Sequence, residues 1–231
     1  MPATGSKRRM RGHFVYTSWL HTDPTGRPQL IGIGGPSCAG KSEVASRLAA
    51  ALDAPVVGLD AYYRDLPDLP FDERTQANFD IPDALDEELL SAQLRWLSEG
   101  GEIEVPVYDF TRYVRTGETR RVRAGRFAVV EGLFTLYWEA LRHLLDVKVF
   151  VAAPDGVCLS RRLDRDVRER GRSEESVNRQ YNATVRPMAE KYVLPTRRFA
   201  DLVLDGTGSI EHSVAAVLAR VRQAQAAGRL I

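Results

Sequence analysis

One stretch near the start of the chain limits what the rest can fold into. Residues 30–42 read LIGIGGPSCAGKS, an apolar run followed by a glycine-rich segment of the form GxxxxGK[ST] from Gly35 to Ser42. The apolar run is typical of a buried strand, and the residues after Ser42 follow a helical pattern. Glycines let successive backbone N–H groups turn inward at a helix start, where they form a concave anion site. The sequence therefore predicts a phosphate-binding loop rather than a plain glycine-rich turn.

Positions within this loop have distinct expected roles. We expect Lys41 to reach the outer phosphates of a triphosphate and the Ser42 hydroxyl to hold Mg²⁺. Cys38 is interpreted as a small residue that fills space, and a thiol sensitive to alkylating reagents is the alternative. The residues expected to contact the phosphates are Gly35, Ser37, Cys38, Ala39, Gly40, Lys41, Ser42 and Glu43.

Length and composition favour a single domain. With 231 residues, 44% of them hydrophobic, the chain can bury one sizeable core. Its 32 basic and 31 acidic side chains give a net charge of +1, which provides no overall field toward nucleic acid or a membrane. Two cysteines make no disulfide framework, and the sequence has neither a membrane span nor the apolar segment of a secretory signal. A cytoplasmic protein without nucleic-acid or membrane partners is therefore expected.

The chain is expected to divide into an N-terminal extension, residues 1–26, and one domain, residues 27–231. The extension carries a basic cluster at residues 7–11 and ends in the turn-forming sequence DPTG. A solvated terminus explains the cluster, and contact with RNA or a partner is the alternative.

Strands and helices alternate along the remaining sequence. After the first strand, strands are predicted over residues 55–59, 127–132, 147–151 and 202–204, and helices over 41–52, 83–98, 155–171, 210–227 and from about 173 toward 195. Residues 62–83 are rich in turns, and their aromatic side chains argue against disorder. This alternation predicts an α/β fold, a parallel sheet with helices on both faces.

Acidic residues follow two of the predicted buried strands. Asp60 comes at or just past the end of the strand at residues 55–59, and Glu131 ends the apolar run that begins at Phe127. Ligands of open parallel sheets bind outside the carboxyl ends of the strands. Asp60 is therefore a candidate base or Mg²⁺ contact, and a helix N-cap is the alternative. Two carboxylates beside a triphosphate require a metal ion, so Glu131 supports a Mg²⁺ site with Ser42 and Asp60.

A β-hairpin is predicted in the middle of the chain. Residues 103–110 alternate, and residues 118–122 can pair back on them, with Pro106 restricted to an edge strand. Tyr108 and Phe110 share one face because side chains alternate along a strand. They either cover a flat ligand such as a base or pack on the core, and the pattern leaves both open.

Residues 155–172 contain six arginines on a helical pattern that ends at Gly171. Arg161, Arg165 and Arg168 recur at spacings of three or four and therefore share a face. Interleaved acidic residues offer ion-pair partners, as in an ordinary solvent-exposed helix. Beside a phosphate-binding loop, such a helix is better explained as a lid that supplies charge to a transferring phosphoryl group.

Eight sequence strings occur in the order and spacing of one known family. They are GGPSCAGKS, LDAYYRDL, NFDIPDALD, VPVYDF, EGLF, RRLDRDVRERGRS, QYNATVRPM and LPTRRFADLVL. On these strings the chain resembles the uridine/cytidine kinase family, within the group that includes phosphoribulokinase, over about residues 30–219. The resemblance implies a P-loop fold with a five-stranded core, a β-hairpin lid over the nucleoside and an arginine-rich helical lid over the phosphates.

The resemblance also implies roles for single residues. Asp60 matches the catalytic carboxylate that takes the proton from the nucleoside 5′-hydroxyl, and Asp80 matches the residue that grips both ribose hydroxyls. Arg165 and Arg170 match lid arginines that approach the triphosphate and act in catalysis with Lys41. Ser42 and Glu131 would hold Mg²⁺ directly or through water, and the remaining nucleoside pocket would comprise Tyr63, Tyr108, Phe110, Arg162, Arg172 and Gln180.

Tyr113 departs from the family, in which many members carry histidine on the base edge of the hairpin. A phenolic hydroxyl can donate or accept a hydrogen bond, so it does not by itself choose between uracil and cytosine. Donation to N3 would favour cytosine, which has an acceptor there. We therefore expect phosphorylation of a pyrimidine ribonucleoside at its 5′ position, with a tilt toward cytidine, using ATP or GTP and Mg²⁺ in pyrimidine salvage.

Two other functions remain open from the sequence. A related P-loop kinase could act on ribulose 5-phosphate, pantothenate or nicotinamide riboside, although the aromatic hairpin favours a flat base. A nucleotide-binding regulator would bind triphosphate without consuming it. The expected partner is a small-molecule nucleoside, and the resemblance implies a homo-oligomer, a tetramer in the family.

Overall fold

The computed structural model describes residues 26–227, so all but the last residue of the predicted extension lies outside it. The strands are β1 (Gln29–Gly34), β2 (Val56–Gly58), β3 (Glu102–Asp109), β4 (Val114–Arg123), β5 (Phe127–Glu131), β6 (Val147–Ala152) and β7 (Leu202–Asp205). The helices are α1 (Lys41–Leu52), α2 (Phe71–Gln76), α3 (Glu87–Ser98), α4 (Glu139–Leu144), α5 (Asp155–Arg170), α6 (Glu174–Gln180), α7 (Arg186–Met188) and α8 (Ile210–Ala226). Within residues 26–227, no helix has the length and apolar character that crossing a membrane requires.

Five parallel strands form the central sheet in the order β2-β5-β1-β6-β7. Successive residues of β5 point to opposite faces, so Phe127 and Val129 join one hydrophobic cluster while Ala128 and Val130 join the other. Helices α1 and α8 contribute to the first cluster, and α3 and α4 contribute to the second. Burial on both faces explains the continuous apolar runs and confirms the predicted α/β fold.

The phosphate-binding loop joins β1 to α1, as its pattern predicts. Gly35 has a φ of 140° and Gly40 a φ of 108°, values that favour glycine. A side chain at Gly35 would also collide with the Val151 carbonyl of β6. The loop therefore turns tightly over the end of the sheet, and α1 begins at Lys41.

The register brings the acidic strand ends to one edge of the sheet. Glu131 of β5 is paired with Ile33 of β1 on one side and with Gly58 of β2 on the other. Asp60 lies two residues beyond β2 in a short 3-10 turn, Leu59–Tyr62, whose N-cap is Gly58. The N-cap interpretation of Asp60 is therefore wrong, because the helical turn begins before it.

Strands β3 and β4 form a separate antiparallel hairpin that is longer than predicted, with a register shift between Pro106 and Tyr108. Proline is tolerated because both strands of a two-stranded sheet are edges. The inward side chains of Ile103, Val105 and Val122 join the core cluster that contains α3. The hairpin is thus anchored at its base by apolar packing.

Helices differ from the prediction in four places, one of which is α4, where no helix was predicted. Helix α3 begins at Glu87 rather than at residue 83, because Pro82–Ala84 forms its own 3-10 turn and Asp86 accepts a hydrogen bond from the Leu89 amide at 3.2 Å. Helix α2 lies in the turn-rich segment, where no helix was predicted. The helix after Ser173 continues past α6 through wide π turns instead of one regular α-helix.

Candidate active site

Two cavities meet at the carboxyl edge of the sheet. The first, about 500 Å³, lies above the phosphate-binding loop and reaches the loop between β7 and α8. The second, about 440 Å³, lies between the hairpin, α2 and α5. Ser37, Asp60, Leu133 and Arg165 line both cavities. These shared residues mark where a group could pass from one ligand to another.

The first cavity contains most of the residues predicted to bind phosphate. Its lining includes Ser37, Cys38, Gly40, Lys41, Ser42 and Glu43. Gly35 and Ala39 do not line it, and the Ala39 amide donates a hydrogen bond to the Pro36 carbonyl at 3.2 Å. Lys41 is largely buried, and its Nζ donates to the same carbonyl at 2.8 Å. The Lys41 ammonium thus lies directly against the loop that we expect to surround the phosphates.

Arg161 of α5 connects the phosphate-binding loop to the loop between β7 and α8, a contact that the sequence did not indicate. Its Nη1 donates to the carbonyls of Cys38 and Ala39 at 3.3 Å each, and its Nη2 donates to the Gly206 carbonyl at 2.9 Å. The bound carbonyls point toward α5. Arg161 therefore fixes peptide orientation in the loop, and it lines the first cavity as a wall residue.

Carboxylates of Asp60 and Glu131 face the loop lysine. Burial raises the pKa of Glu131, Lys41 opposes that rise, and the nearby Asp60 adds to it. Loss of water also raises the pKa of Asp60, although this residue faces an open cavity, and Lys41, Arg165 and Arg170 oppose that rise. Both acids are thus held in a site where added positive charge would favour their ionised forms.

The oxygen ligands fit Mg²⁺. The Ser42 hydroxyl lies 3.4 and 3.3 Å from the two carboxylate oxygens of Glu131, and Asp60 lines the same cavity. In the described part of the chain, no three His, Cys, Asp or Glu side chains are grouped closely enough to hold a metal ion by themselves. This agrees with Mg²⁺, which usually takes one or two protein carboxylates and completes its shell with phosphate oxygens and water.

Aromatic rings form much of the second cavity. Phe79 and Tyr113 are stacked with ring centroids 5.4 Å apart and an interplanar angle of 22°. Tyr63 meets Phe79 edge to face at 5.2 Å, and Phe110, which is 48% exposed, lines the same cavity. Phe71 also lines the cavity. Neither Phe71 nor Phe79 was predicted to belong to the site, although Phe79 directly precedes Asp80.

Tyr108 occupies a different position from its neighbour Phe110. It is 8% exposed and does not line the second cavity, whereas its ring contacts those of Tyr63 and Phe110 at 5.5 and 5.1 Å. Tyr108 and Phe110 therefore each follow a different one of the two predicted alternatives, packing on the core or covering a ligand. Tyr108 packs on the core and supports Tyr63, and Phe110, just beyond the end of β3, faces the cavity.

A polar cluster completes the second cavity. Asp80 lines it, and burial raises the pKa of this carboxyl while Arg162 opposes the rise most strongly. Gln180 accepts hydrogen bonds from Arg172 at 2.6 Å and from Arg162 at 3.3 Å. Arg162 also donates to the Ser37 hydroxyl at 3.2 Å. These contacts link the second cavity to the phosphate-binding loop.

Helix α5 presents its arginines in three different settings. Arg161 binds loop carbonyls, Arg165 lines both cavities, and Arg168 pairs with Asp164 at 2.8 Å on the solvent side. Arg170 lines the second cavity. Arg161, Arg165 and Arg168, which were predicted to share a face, therefore have different surroundings. Of these three, only Arg168 fits the explanation of a surface ion pair.

Sequence comparison identifies relatives over most of the chain. Residues 30–211 match the model of the phosphoribulokinase / uridine kinase family. A uridine kinase of Chloroflexus aurantiacus is 42% identical over 200 residues, which cover 85% of this chain and 96% of that protein. A uridine kinase of Ligilactobacillus salivarius is 38% identical over 199 residues, which cover 85% of this chain and 93% of that protein. These relatives support a P-loop nucleoside kinase.

Structural comparison agrees on the fold. A Silicibacter sp. protein described as a fructose transport system kinase has a TM-score of 0.64 at 24% identity, covering 77% of this chain and 89% of that chain. Phosphoribulokinase from Rhodobacter spheroides has a TM-score of 0.57 at 16% identity, covering 79% of this chain and 73% of that chain. At these identities the likeness concerns the P-loop kinase fold and not the substrate.

Proposed function

This chain belongs to the phosphoribulokinase / uridine kinase family, and from that premise we propose that it phosphorylates a pyrimidine ribonucleoside at its 5′-hydroxyl, with ATP as donor, in pyrimidine salvage. One observation carries the proposal. A loop suited to triphosphate and an aromatic cavity suited to a nucleoside share Asp60 and Arg165 in their walls. An acid and an arginine at such a junction are what in-line phosphoryl transfer requires.

In the proposed reaction, the loop amides and Lys41 bind the β- and γ-phosphates. Ser42 and Glu131 would hold Mg²⁺, which would supply positive charge to the phosphate oxygens. Asp60 orients the 5′-hydroxyl and accepts its proton, a role that requires the carboxylate in its ionised form. Arg165 and Arg170 stabilise the charge that spreads over the transferring group.

The second cavity supports a nucleoside as acceptor. Stacked and edge-to-face rings offer a flat apolar surface for a base, and Asp80 offers a partly buried acceptor for ribose hydroxyls. A sugar phosphate or pantothenate would make little use of the rings. These features favour a nucleoside over the acceptors of other kinases with this fold.

A coupled assay of ATP consumption with a panel of acceptors tests the function. The panel contains uridine, cytidine, guanosine, pantothenate, ribulose 5-phosphate and nicotinamide riboside, each with ATP and with GTP. We expect turnover with uridine or cytidine and formation of the 5′-monophosphate. Turnover with only another acceptor would assign a related kinase, and triphosphate binding without turnover on any acceptor would assign a regulator.

Tyr113 is proposed to influence the choice of base. Donation of its hydroxyl to N3 favours cytosine, so we expect kcat/KM to be higher for cytidine than for uridine. Tyr113→Phe keeps the ring that stacks on Phe79 and removes the hydroxyl, and should bring the two values closer together. Equal values in the unmodified protein, or a preference for uridine, would contradict this role.

We further propose that residues 27–231 form the catalytic domain, that residues 1–26 are dispensable for catalysis and that the protein is a homo-oligomer. Light scattering coupled to size-exclusion chromatography measures the assembly. Kinetic comparison of the full chain with a form that lacks residues 1–26 tests the division. A monomeric mass would contradict the assembly, and lost turnover in the shortened form would contradict the division.

A further inference from the structure

Four arginines converge on the carboxylate of Asp166, which is completely buried within α5. Its Oδ1 lies 2.8 Å from Arg165 and 3.5 Å from Arg170. Its Oδ2 lies 3.5 Å from Arg162 and 3.6 Å from Arg172. One carboxylate thus contacts four guanidinium groups, two on each oxygen.

The two pairs of arginines share the second cavity but differ in their other contacts. Arg162 and Arg172 line the second cavity and both donate to Gln180. Arg165 and Arg170 also line that cavity, Arg165 lines the phosphate cavity as well, and both oppose the rise in the pKa of Asp60. All four arginines therefore face the nucleoside cavity, and on the Oδ1 side Arg165 also reaches the phosphate cavity.

The contacts of the two oxygens differ in strength. Oδ1 accepts a short hydrogen bond from Arg165 Nε at 2.8 Å. Oδ2 and Arg162 Nε are both buried, and neither has a hydrogen-bond partner among residues 26–227. A buried charge is stable only when it is well paired, so the long contacts of Oδ2 leave room for Arg162 and Arg172 to move toward it or away from it.

Asp166 also fixes the backbone at the end of α5. Its carbonyl accepts hydrogen bonds from the amides of Gly171 and Arg172. Arg172 is therefore held to Asp166 through both its main chain and its side chain. Movement of Arg172 in the nucleoside cavity is thereby transmitted to the helix that carries Arg165.

We propose that Asp166 is a positioning residue that couples nucleoside binding to the arginines of phosphoryl transfer. A nucleoside that engages Arg162 and Arg172 brings them closer to Oδ2, which better neutralises the carboxylate. The carboxylate then holds Arg165 and Arg170 less tightly, and these two arginines become available to the triphosphate. The consequence is positive cooperativity between nucleoside and triphosphate. This inference rests on the proposed nucleoside kinase function.

Equilibrium binding of a non-hydrolysable ATP analogue, with and without saturating cytidine or uridine, tests the coupling. We expect nucleoside to lower the Kd of the analogue by about fivefold or more in the unmodified protein, and by less than about twofold in Asp166→Asn. Asp164→Asn is the matched control, because it removes a carboxylate of the same helix that pairs with Arg168 at the surface. It should keep the full tightening.

A second variant provides a test if Asp166→Asn does not fold. Of the contacts to Asp166, Arg172→Gln removes only one on Oδ2, and Arg172 does not line the phosphate cavity. This variant should raise the Kd of the analogue by a few-fold even without nucleoside, whereas Arg168→Gln should leave it unchanged. Tightening retained in Asp166→Asn, or unchanged analogue affinity in Arg172→Gln, overturns the role of Asp166. Absence of tightening in the unmodified protein overturns the coupling, and absence of nucleoside turnover separately overturns the proposed function.

Discussion

Replacing Asp60 with asparagine tests the centre of the proposed site. Asparagine keeps the size of the side chain but cannot accept a proton from the attacking hydroxyl. A positioned general base contributes about 10²- to 10⁴-fold, or about 2.7 to 5.5 kcal/mol of activation free energy. We expect a fall in kcat of about 10²-fold or more, near the lower limit, because Lys41, Arg165 and Arg170 remain and phosphoryl transfer depends mainly on alignment and charge stabilisation.

The same substitution should stabilise the fold at neutral pH. Although Asp60 is exposed to the open cavity, partial loss of water around its carboxylate raises its pKa above the ordinary value of 3.8, so its ionised form is slightly less favourable in the folded than in the unfolded protein. This unfavourable contribution is complete above the folded-state pKa and vanishes below the unfolded value. Asp60→Asn, which is neutral throughout, should therefore raise Tm at about pH 7, and the gain should shrink as the pH is lowered toward about 4.

Steady-state kinetics with saturating ATP and nucleoside, together with thermal unfolding from about pH 4 to 8, measure both effects. Asp68→Asn is the control, because Asp68 is exposed and lines neither cavity. It should leave kcat and Tm close to their original values. Unchanged turnover in Asp60→Asn would remove this residue from the role of base, and a lower Tm at neutral pH would contradict the electrostatic reasoning.

Two further substitutions and one altered substrate test different parts of the site. Arg165→Gln should lower kcat by about 10²-fold or more, while Arg168→Gln at the surface should change it less than about twofold, as steady-state kinetics would show. A 2′-deoxynucleoside should have a kcat/KM about 10- to 100-fold below that of its ribonucleoside, because the partly buried Asp80 loses a partner, and equal values would contradict that contact. Arg161→Ala should raise KM for ATP by about tenfold with little change in KM for nucleoside, because loop carbonyls lose their donor, and an effect on nucleoside alone would refute this.

Elements with a strong local pattern were predicted correctly. The strand, loop and helix around Lys41 follow from an apolar run, fixed glycines and a helical repeat that lie next to one another in the sequence. Strand β5 was also predicted, because burial on both faces leaves a continuous apolar run. Gly171, with a φ of 62°, ends α5 as its conformational freedom allows.

Elements that depend on tertiary contacts were missed. Helix α2 has no buried residue, so no apolar stripe marked it in the sequence. Tyr108 and Phe110 follow the same strand period, yet the register shift after Pro106 and the end of β3 give them different surroundings. In the sequence, Asp166 is one of several acidic residues that lie between the arginines of α5. Only the packing of α5 shows that it is buried while Asp164 is exposed.

Strand register is what joins the fold to the chemistry of the site. Glu131 continues the alternation of β5 on the face of Phe127 and Val129, which is the face that packs against α1. Helix α1 begins with the loop lysine, so the same face brings Glu131 within hydrogen-bond distance of the Ser42 hydroxyl. A slip of one residue in the pairing of β5 would turn Glu131 to the opposite face, away from the Ser42 hydroxyl. The buried apolar run before Glu131 therefore both stabilises the sheet and positions the acid.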